Sequence, residues 1–305
     1  MRTADFSARD AEGKVTFYVP LWKRKGISQE LFDDYWRNVH GPVCARLPGQ
    51  FQYWQFHVDG NEGGIWPTTD GIEYGCDPED NFAGIAELTF KSVEDRNTWF
   101  KAAAILMDDE HNIFSKAIGY NTSIGNSKTF VDGIAAGDPN GRDPSEQVRL
   151  FVMLKKQDGV NIEDFRNYLF DKFAPTVVPC QNLLKLRVHQ FDEVDNSRPP
   201  AAGVDHGEPP EKNYQAALEV AFDDRLDMER FFASPEYTST LADQPKYIKQ
   251  LCTFPNKDAY TFVYGGQMTL AGQRSSIVAQ LITRIGAVNQ LQDDITQLML
   301  NQKLS

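Results

Sequence analysis

Lys14 to Gly26 reads KVTFYVPLWKRKG, and Gln147 to Gly159 reads QVRLFVMLKKQDG. The two stretches are versions of each other, and the likeness spreads outward from them. Each is followed by a helical pattern with a Tyr and then a Pro at matching offsets, so Tyr35 answers Tyr168 and Pro42 answers Pro175. After one residue is lost from the second copy the match resumes, pairing His57 with His189, ELTF from Glu87 with EVAF from Glu219, and TFVDG from Thr129 with TFVYG from Thr261. A constant offset over that distance means duplication. The chain divides on this reading into an N-terminal extension (1–13), repeat one (14–133), a linker (134–146) punctuated by Asp, Gly and Pro, repeat two (147–266) and a C-terminal segment (267–305).

Strand one alternates, with Val15, Phe17, Val19 and Leu21 on one face and Thr16, Tyr18, Pro20 and Trp22 on the other. Pro20 predicts an edge position or a bend. A helix opens at the N-cap Ser28, carries Leu31, Phe32, Tyr35, Trp36 and Val39 on one stripe, and is expected to end at Gly41 and Pro42. Strand two is predicted over 52–58 and strand three over 85–90. A helix follows through Trp99 and Phe100, and Thr129 to Val131 closes the unit. The βαββαβ order is that of the ferredoxin-like α+β fold, with helices on one face of an antiparallel sheet. Two tandem units can press their open sheet faces together into an intrachain pseudo-dimeric α+β barrel. From Ser275 onward, Val278, Leu281, Ile285, Val288, Leu291, Ile295 and Leu298 recur at steps of three and four, predicting one long amphipathic helix. It would pack across the barrel or pair with its copy in a homodimer.

With 305 residues, 20 Phe, 11 Tyr and 5 Trp, the chain has material for two cores, and its formal charge of −12 argues against nucleic acid or an anionic membrane as partner. No apolar run approaches the roughly 20 residues of a membrane span, and the N-terminus lacks a signal-peptide core, so a cytoplasmic location is the default expectation. Cys44, Cys76, Cys180 and Cys252 are scattered without metal-ligand spacing, so free thiols are expected.

Alternation assigns side chains to the barrel interior. In strand two, Trp54, Phe56 and Val58 are placed against the helices, leaving Tyr53, Gln55 and His57 inside, with Lys185, Arg187 and His189 matching them. In strand three Leu88 and Phe90 turn to the helices and Glu87 turns inward, as does Glu219. Tyr18, Trp22, Phe151 and Met153 supply apolar walls. Such a gathering of ionisable groups needs partners once buried.

Phe32 to Gly49 (FDDYWRNVHGPVCARLPG) followed by Tyr53 to Asp59 (YWQFHVD) resembles the EthD family of the dimeric α+β barrel superfamily. Members read as a helix with a Trp, then His-Gly-Pro, Leu-Pro-Gly, and a strand ending in His. The second repeat keeps only the pattern. Asp171-Lys172-Phe173-Ala174-Pro175 stands where the first has Asn38-Val39-His40-Gly41-Pro42, so the helix-end histidine is missing. The resemblance implies a cofactor-free barrel that takes small, apolar, aromatic or polyketide-like molecules. Relatives include lyases, isomerases, decarboxylases, dehydratases and oxygenases, and the resemblance does not choose among them.

His40 shares the inward face of Phe32 and Trp36 and is the candidate general acid or base; capping of its helix is the alternative. His57 and Glu87 are further candidates. Glu87 would orient His57 or act as a base with a raised pKa, or else pair with Arg187 or Lys185. Substrate contacts are assigned to Tyr18, Trp22, Tyr35, Trp36, Tyr53, Gln55, Phe151, Arg187 and His189. The long links over 60–81 and 195–213 are read as lids, with Trp66 and Tyr74 as substrate contacts, disorder or a barrel-to-barrel contact being the alternative, and His206 is expected to be solvated. The reading is therefore a cofactor-independent lyase, isomerase or dehydratase, with no metal, acting on a small hydrophobic or aromatic molecule. A non-catalytic binding protein for such a molecule is the alternative, and an oxygenase, cofactor-free or haem-dependent, is a third.

Overall fold

A computed structural model of the chain describes residues 5–61, 65–134, 147–197, 199–201 and 203–303, so nearly all of the linker lies outside the described residues. Its strands are β1 (Val15–Lys23), β2 (Gln52–Val58), β3 (Glu73–Tyr74), β4 (Gly84–Phe90), β5 (Phe114–Ala117), β6 (Tyr120–Asn121), β7 (Ser127–Asp132), β8 (Val148–Lys156), β9 (Lys185–Gln190), β10 (Ala216–Phe222), β11 (Ile248–Tyr264) and β12 (Gln267–Met268). They are ordered β5-β1-β4-β2-β11-β8-β10-β9-β7. Repeat one contributes β5-β1-β4-β2 and repeat two β11-β8-β10-β9, each in the fourth-first-third-second order of a split βαββαβ unit. This is the tandem ferredoxin-like architecture expected from the duplication.

The seams between the units lie elsewhere than the sequence suggests. The first part of β11 pairs with β8 of its own repeat, and the continuation from Asn256 to Val263 pairs with β2 of repeat one. Reciprocally, β7 pairs with β9 of repeat two. Thr129 to Val131 therefore joins the other unit, and its own unit is closed by the short β5. Nor is β1 an edge strand. It lies between β4 and β5, and Pro20 stands in the gap where its neighbour passes from β5 to β6, so a missing N–H costs little.

The first helix starts as expected, with the Ser28 hydroxyl accepting from Leu31 N–H at 3.1 Å. It does not stop at Gly41 and Pro42. Gln29–Tyr35 continues as a π-turn, Trp36–His40, and then as Gly41–Cys44. The Gly41 N–H reaches back to the Trp36 carbonyl, and Pro42 falls near the start of the next turn, where a donor is not needed. Repeat two repeats the device over Ile162–Asn167, Tyr168–Phe173 and Ala174–Val177. Gly41 itself is required by a close approach, since a Cβ there would stand 2.6 Å from the Phe262 ring. The C-terminal segment is broken too. Helix Ser276–Ile285 ends on left-handed Gly286 (φ 72), and a 3-10 turn separates it from helix Asp293–Asn301. Asn38 anchors the first of these helices, accepting from Ser276 Oγ at 2.8 Å and Ile277 N at 3.1 Å.

Among the described residues the three largest cores lie under the helices of each repeat and inside the barrel. Strands one and three face as predicted, but strand two of repeat one is inverted. Trp54, Phe56 and Val58 lie in the barrel interior with Tyr18, Trp22 and Phe151, whereas Tyr53 packs in the helix-side core and His57 lies against Trp36 of the helix. The pairing explains why. Trp54 stands opposite Glu87 on β4, and Arg187 stands opposite Glu219 on β10. Trp54 is thus the counterpart of Arg187, and Phe56 of His189. The lost residue falls after strand two rather than before it, and His57 does not correspond to His189. A one-residue slip moves every side chain of a strand to the other face.

The long links are exchanged between the units. The first carries Trp66 into the helix-side core of repeat two, within 4.9 Å of the Phe232 ring centroid. The second carries Val204 into the helix-side core of repeat one, and Asp205 O accepts from Ala117 N at 2.9 Å.

Candidate active site

Between the sheet and helices of repeat one lies a cavity of about 110 Å³. Phe17, Val19, Leu21 and Leu88 form part of its floor, Trp99, Phe100, Leu106 and Met107 part of its wall, and Trp36, Cys44 and Tyr53 add to the lining. Three ionisable side chains break that surface: His40, Glu110 and His206.

His40 sits in the π-turn, buried, with Nδ1 2.8 Å from Asp109 Oδ2. Asp109 belongs to the helix Ala104–Ile113 and also accepts from Tyr35 Oη at 2.6 Å and Asn112 Nδ2 at 3.1 Å. The bond from His40, with those from Tyr35 and Asn112, holds the Asp109 carboxyl well below the usual carboxylate range. An ionised Asp109 accepts from Nδ1–H, which fixes the tautomer and leaves Nε2 as the basic nitrogen. The phenol of Tyr35 is pushed up to about 12 by its bond to Asp109, so it stays a donor.

Glu110, next in the chain, behaves oppositely. Burial, with the neighbouring Asp109 charge, pushes its carboxyl up to about 7. Its Oε2 has no hydrogen-bond partner and stands 3.5 Å from His206 Nε2, which has none either. Two polar atoms without a hydrogen bond therefore belong to side chains that line an apolar cavity, where a ligand oxygen would satisfy them. The Cys44 thiol, pushed up to about 12 by burial, is inert as a nucleophile.

The sequence-predicted residues separate into three places. His40, Trp36 and Tyr53 line the cavity. Tyr35 holds Asp109, and Gln55 donates to Tyr53 Oη at 2.7 Å and to Trp36 O at 3.1 Å. His57 is fully buried behind them, with Nδ1 2.8 Å from Asp33, whose other oxygen takes Lys257 at 2.9 Å. Burial lowers the pKa of His57 despite Asp33, and the residue does not line the cavity.

Tyr18, Trp22, Phe151, Glu87, Arg187 and His189 lie on the far side of the sheet, in the barrel interior. There Glu87 Oε1 is 3.0 Å from Arg187 Nε and 3.5 Å from His189 Nε2, and Arg187 also reaches Asp10 at 3.3 Å. Burial alone would raise Glu87, but His189 and Arg187 outweigh it and hold the carboxyl at about 2. Glu87 is an ion-pair member, not a base with a raised pKa, and it does not touch His57. Glu219 likewise pairs with Lys185 at 3.1 Å and Arg149 at 3.5 Å.

Asp109, Glu110 and His206 escaped the sequence reading. A signal for Glu110 was present, since Leu106, Glu110 and Ile113 share one helical stripe and its neighbours are buried. Asp109 and His206 carry none, because their roles depend on long-range approach. His206, expected to be solvated, is instead delivered by the exchanged loop, and Trp66 lies in the repeat-two core rather than at this cavity. Phe173 occupies the position of His40 in repeat two, and it and Trp66 belong to one continuous apolar core there.

Among the described residues one acidic trio, Asp77, Glu79 and Asp80, has carboxylates close enough to share a cation, but Lys212 Nζ already bonds Glu79 at 3.1 Å and Asp80 at 2.8 Å. Among the described residues no helix is long and apolar enough to cross a membrane.

A comparison with curated proteins finds no match. Among solved structures the fold resembles a provisionally named monooxygenase from Fusobacterium nucleatum, at 7% identity, TM-score 0.51, over 83% of this chain and 96% of that one. It also resembles an anthrone oxidase-like protein at 8% identity, TM-score 0.51, over 85% of this chain and 95% of that one. The family model described as EthD domain matches twice, over residues 24–117 and 157–250. With both repeats matched and the βαββαβ unit present in duplicate, the chain belongs to the EthD family.

Proposed function

We propose that the repeat-one cavity moves a proton on a small, largely apolar carbon acid, a molecule whose C–H bond is activated by an adjacent carbonyl. The observation that carries this is the Asp109–His40 pair at the edge of an apolar cavity also lined by Glu110 and His206, whose Oε2 and Nε2 atoms lie 3.5 Å apart and have no hydrogen-bond partner. His40 Nε2 takes the proton from carbon, and the positive charge on its ring is stabilised by Asp109. The developing enolate oxygen accepts from the protonated Glu110 carboxyl, which can complete the transfer. Release to a different atom gives an isomerase, and expulsion of a leaving group gives a lyase or dehydratase. The names of the two fold neighbours, a provisionally named monooxygenase and an anthrone oxidase-like protein, favour a second reading in which dioxygen captures the same carbanion.

The test is deuterium exchange in heavy water, followed by NMR, over a panel of cyclic aromatic ketones and aryl 1,3-dicarbonyls, with oxygen uptake recorded alongside. Exchange should fall about 100-fold or more in His40→Ala. Saturable binding without exchange would leave a sheltering protein for a hydrophobic metabolite. An exchange rate unaffected by His40→Ala would refute the assignment.

A further inference from the structure

The exchanged loop of repeat one carries a second chemical feature, remote from the His40 cavity. β3 runs parallel to β11 with Tyr74 beside Leu251, and Gly75 N donates to Leu251 O at 2.9 Å. This pairing draws the loop along the strand and packs Cys76, whose Sγ lies 3.9 Å from Asn81 Oδ1, against the barrel-interior cluster that contains Cys252 and Tyr214. The two sulfurs differ in access. Cys252 is fully buried on β11, whereas Cys76 is half-buried and stands in the wall of an open cavity of about 470 Å³. Asn61 Nδ2 lies 4.0 Å from Cys76 Sγ.

We propose that Cys76 and Cys252 form a peroxide-responsive dithiol, whose disulfide fastens the repeat-one loop to β11 of repeat two. The accessible Cys76 is suited to meet the oxidant and the sheltered Cys252 to resolve it. Contact with Cys252, helped by Asn61, holds the Cys76 thiol below its usual range, while Cys252 is pushed up. The Cys76 thiolate attacks one oxygen of the hydroperoxide and the O–O bond breaks. The departing oxygen takes a proton and leaves as water or alcohol, and Cys76 becomes a sulfenic acid. The Cys252 sulfur then attacks Cys76, the S–S bond forms, and the sulfenic oxygen leaves as water with the Cys252 proton. In sum, two thiols and one hydroperoxide give one disulfide, one water, and a second water or an alcohol. The cross-link would hold in place the loop that delivers Trp66 to the repeat-two core.

The experiment treats the full chain with equimolar hydrogen peroxide, alkylates it after unfolding, and maps the peptides without reduction. The expected product is a cross-linked peptide pair containing Cys76 and Cys252, lighter by two hydrogens, with Cys44 and Cys180 alkylated. In Cys252→Ala, Cys76 should be trapped by dimedone as the sulfenic acid. In Cys76→Ser, a loop substitution that leaves the core intact, Cys252 should stay reduced. Accumulation of Cys76 sulfinic acid in the wild type with Cys252 still alkylated would overturn the proposal. So would even oxidation of all four cysteines, or no reaction at all.

Discussion

Replacing Glu110 by Gln tests the electrostatics of the cavity at its most distinctive point. The Glu110 carboxyl titrates near 7 in the folded protein against 4.5 for a free side chain, chiefly because burial penalises its charge. The folded state therefore holds this proton more tightly than the unfolded chain does. The associated stability is fully present below pH 4.5 and is lost as pH rises through 7. At about 1.4 kcal/mol per pKa unit, a displacement from 4.5 to about 7 corresponds to about 3 kcal/mol. Glutamine keeps the shape and a donor but cannot ionise, so Glu110→Gln should be about 3 kcal/mol more stable than wild type at pH 8 and about equal to it at pH 4.5. Urea unfolding followed by tryptophan fluorescence across that range measures the difference. The proton-transfer rate should move the other way. The wild-type rate should decline above pH 7 as the acid ionises, and the variant should lose that limb together with most of its activity. Equal stability of the two proteins at pH 8, or a variant weaker than wild type there, would mean that Glu110 is ionised and paired with His206, and the reasoning would fail.

Two further expectations concern the scaffold. Glu87→Gln takes the nearer of two counter-ions from buried Arg187, leaving Asp10 at 3.3 Å, and should cost about 3 kcal/mol in chemical denaturation. Because Glu87 is held near 2, its contribution is present above pH 4.5 and should fade as pH drops from there, giving the variant a flatter acid limb than wild type. Trp66→Ala removes a buried indole from the repeat-two core and should cost about 3–5 kcal/mol, while leaving proton transfer at His40 unchanged. Loss of catalysis without loss of stability in that variant would place Trp66 at the substrate instead.

What the sequence showed depended on how local each signal was. Duplication and strand alternation are periodic over many residues, so the tandem units and the faces of β1 and β4 were readable from KVTFYVPLWKRKG and ELTF alone. Strand two offers less, because all of Gln52 to Val58 is buried and both faces are rich in aromatic or polar side chains. Alternation then has no exposed face to set its phase, and the accidental likeness of His57 to His189 set it wrongly. The helix end was misread because Gly-Pro ordinarily stops an α-helix, and a π-turn absorbs it here. His40 was legible from its stripe. Its partner was not, since Asp109 reaches it from 69 residues away, and neither was His206, which comes to the same cavity from the other repeat. The interior glutamates were correctly seen as needing partners, and Arg187 and Lys185 supply them.

The exchanged loops account for why a duplicated fold carries one candidate site. The two helix-side spaces begin as equivalents, each bounded by a first strand, a π-turn helix and a third strand. In repeat two Phe173 replaces the histidine and Trp66 arrives from the opposite loop, and the space becomes continuous core. In repeat one the reciprocal loop brings His206, a smaller and polar side chain, to the wall of a space kept open beside His40 and Glu110. Burial at the one site and solvation of a ligand at the other are thus two results of the same exchange. Because the cavity of repeat one takes a wall residue from repeat two, and β2 takes its neighbour from β11, neither half contains the complete site. The second repeat is thus the structure that closes the candidate site of the first.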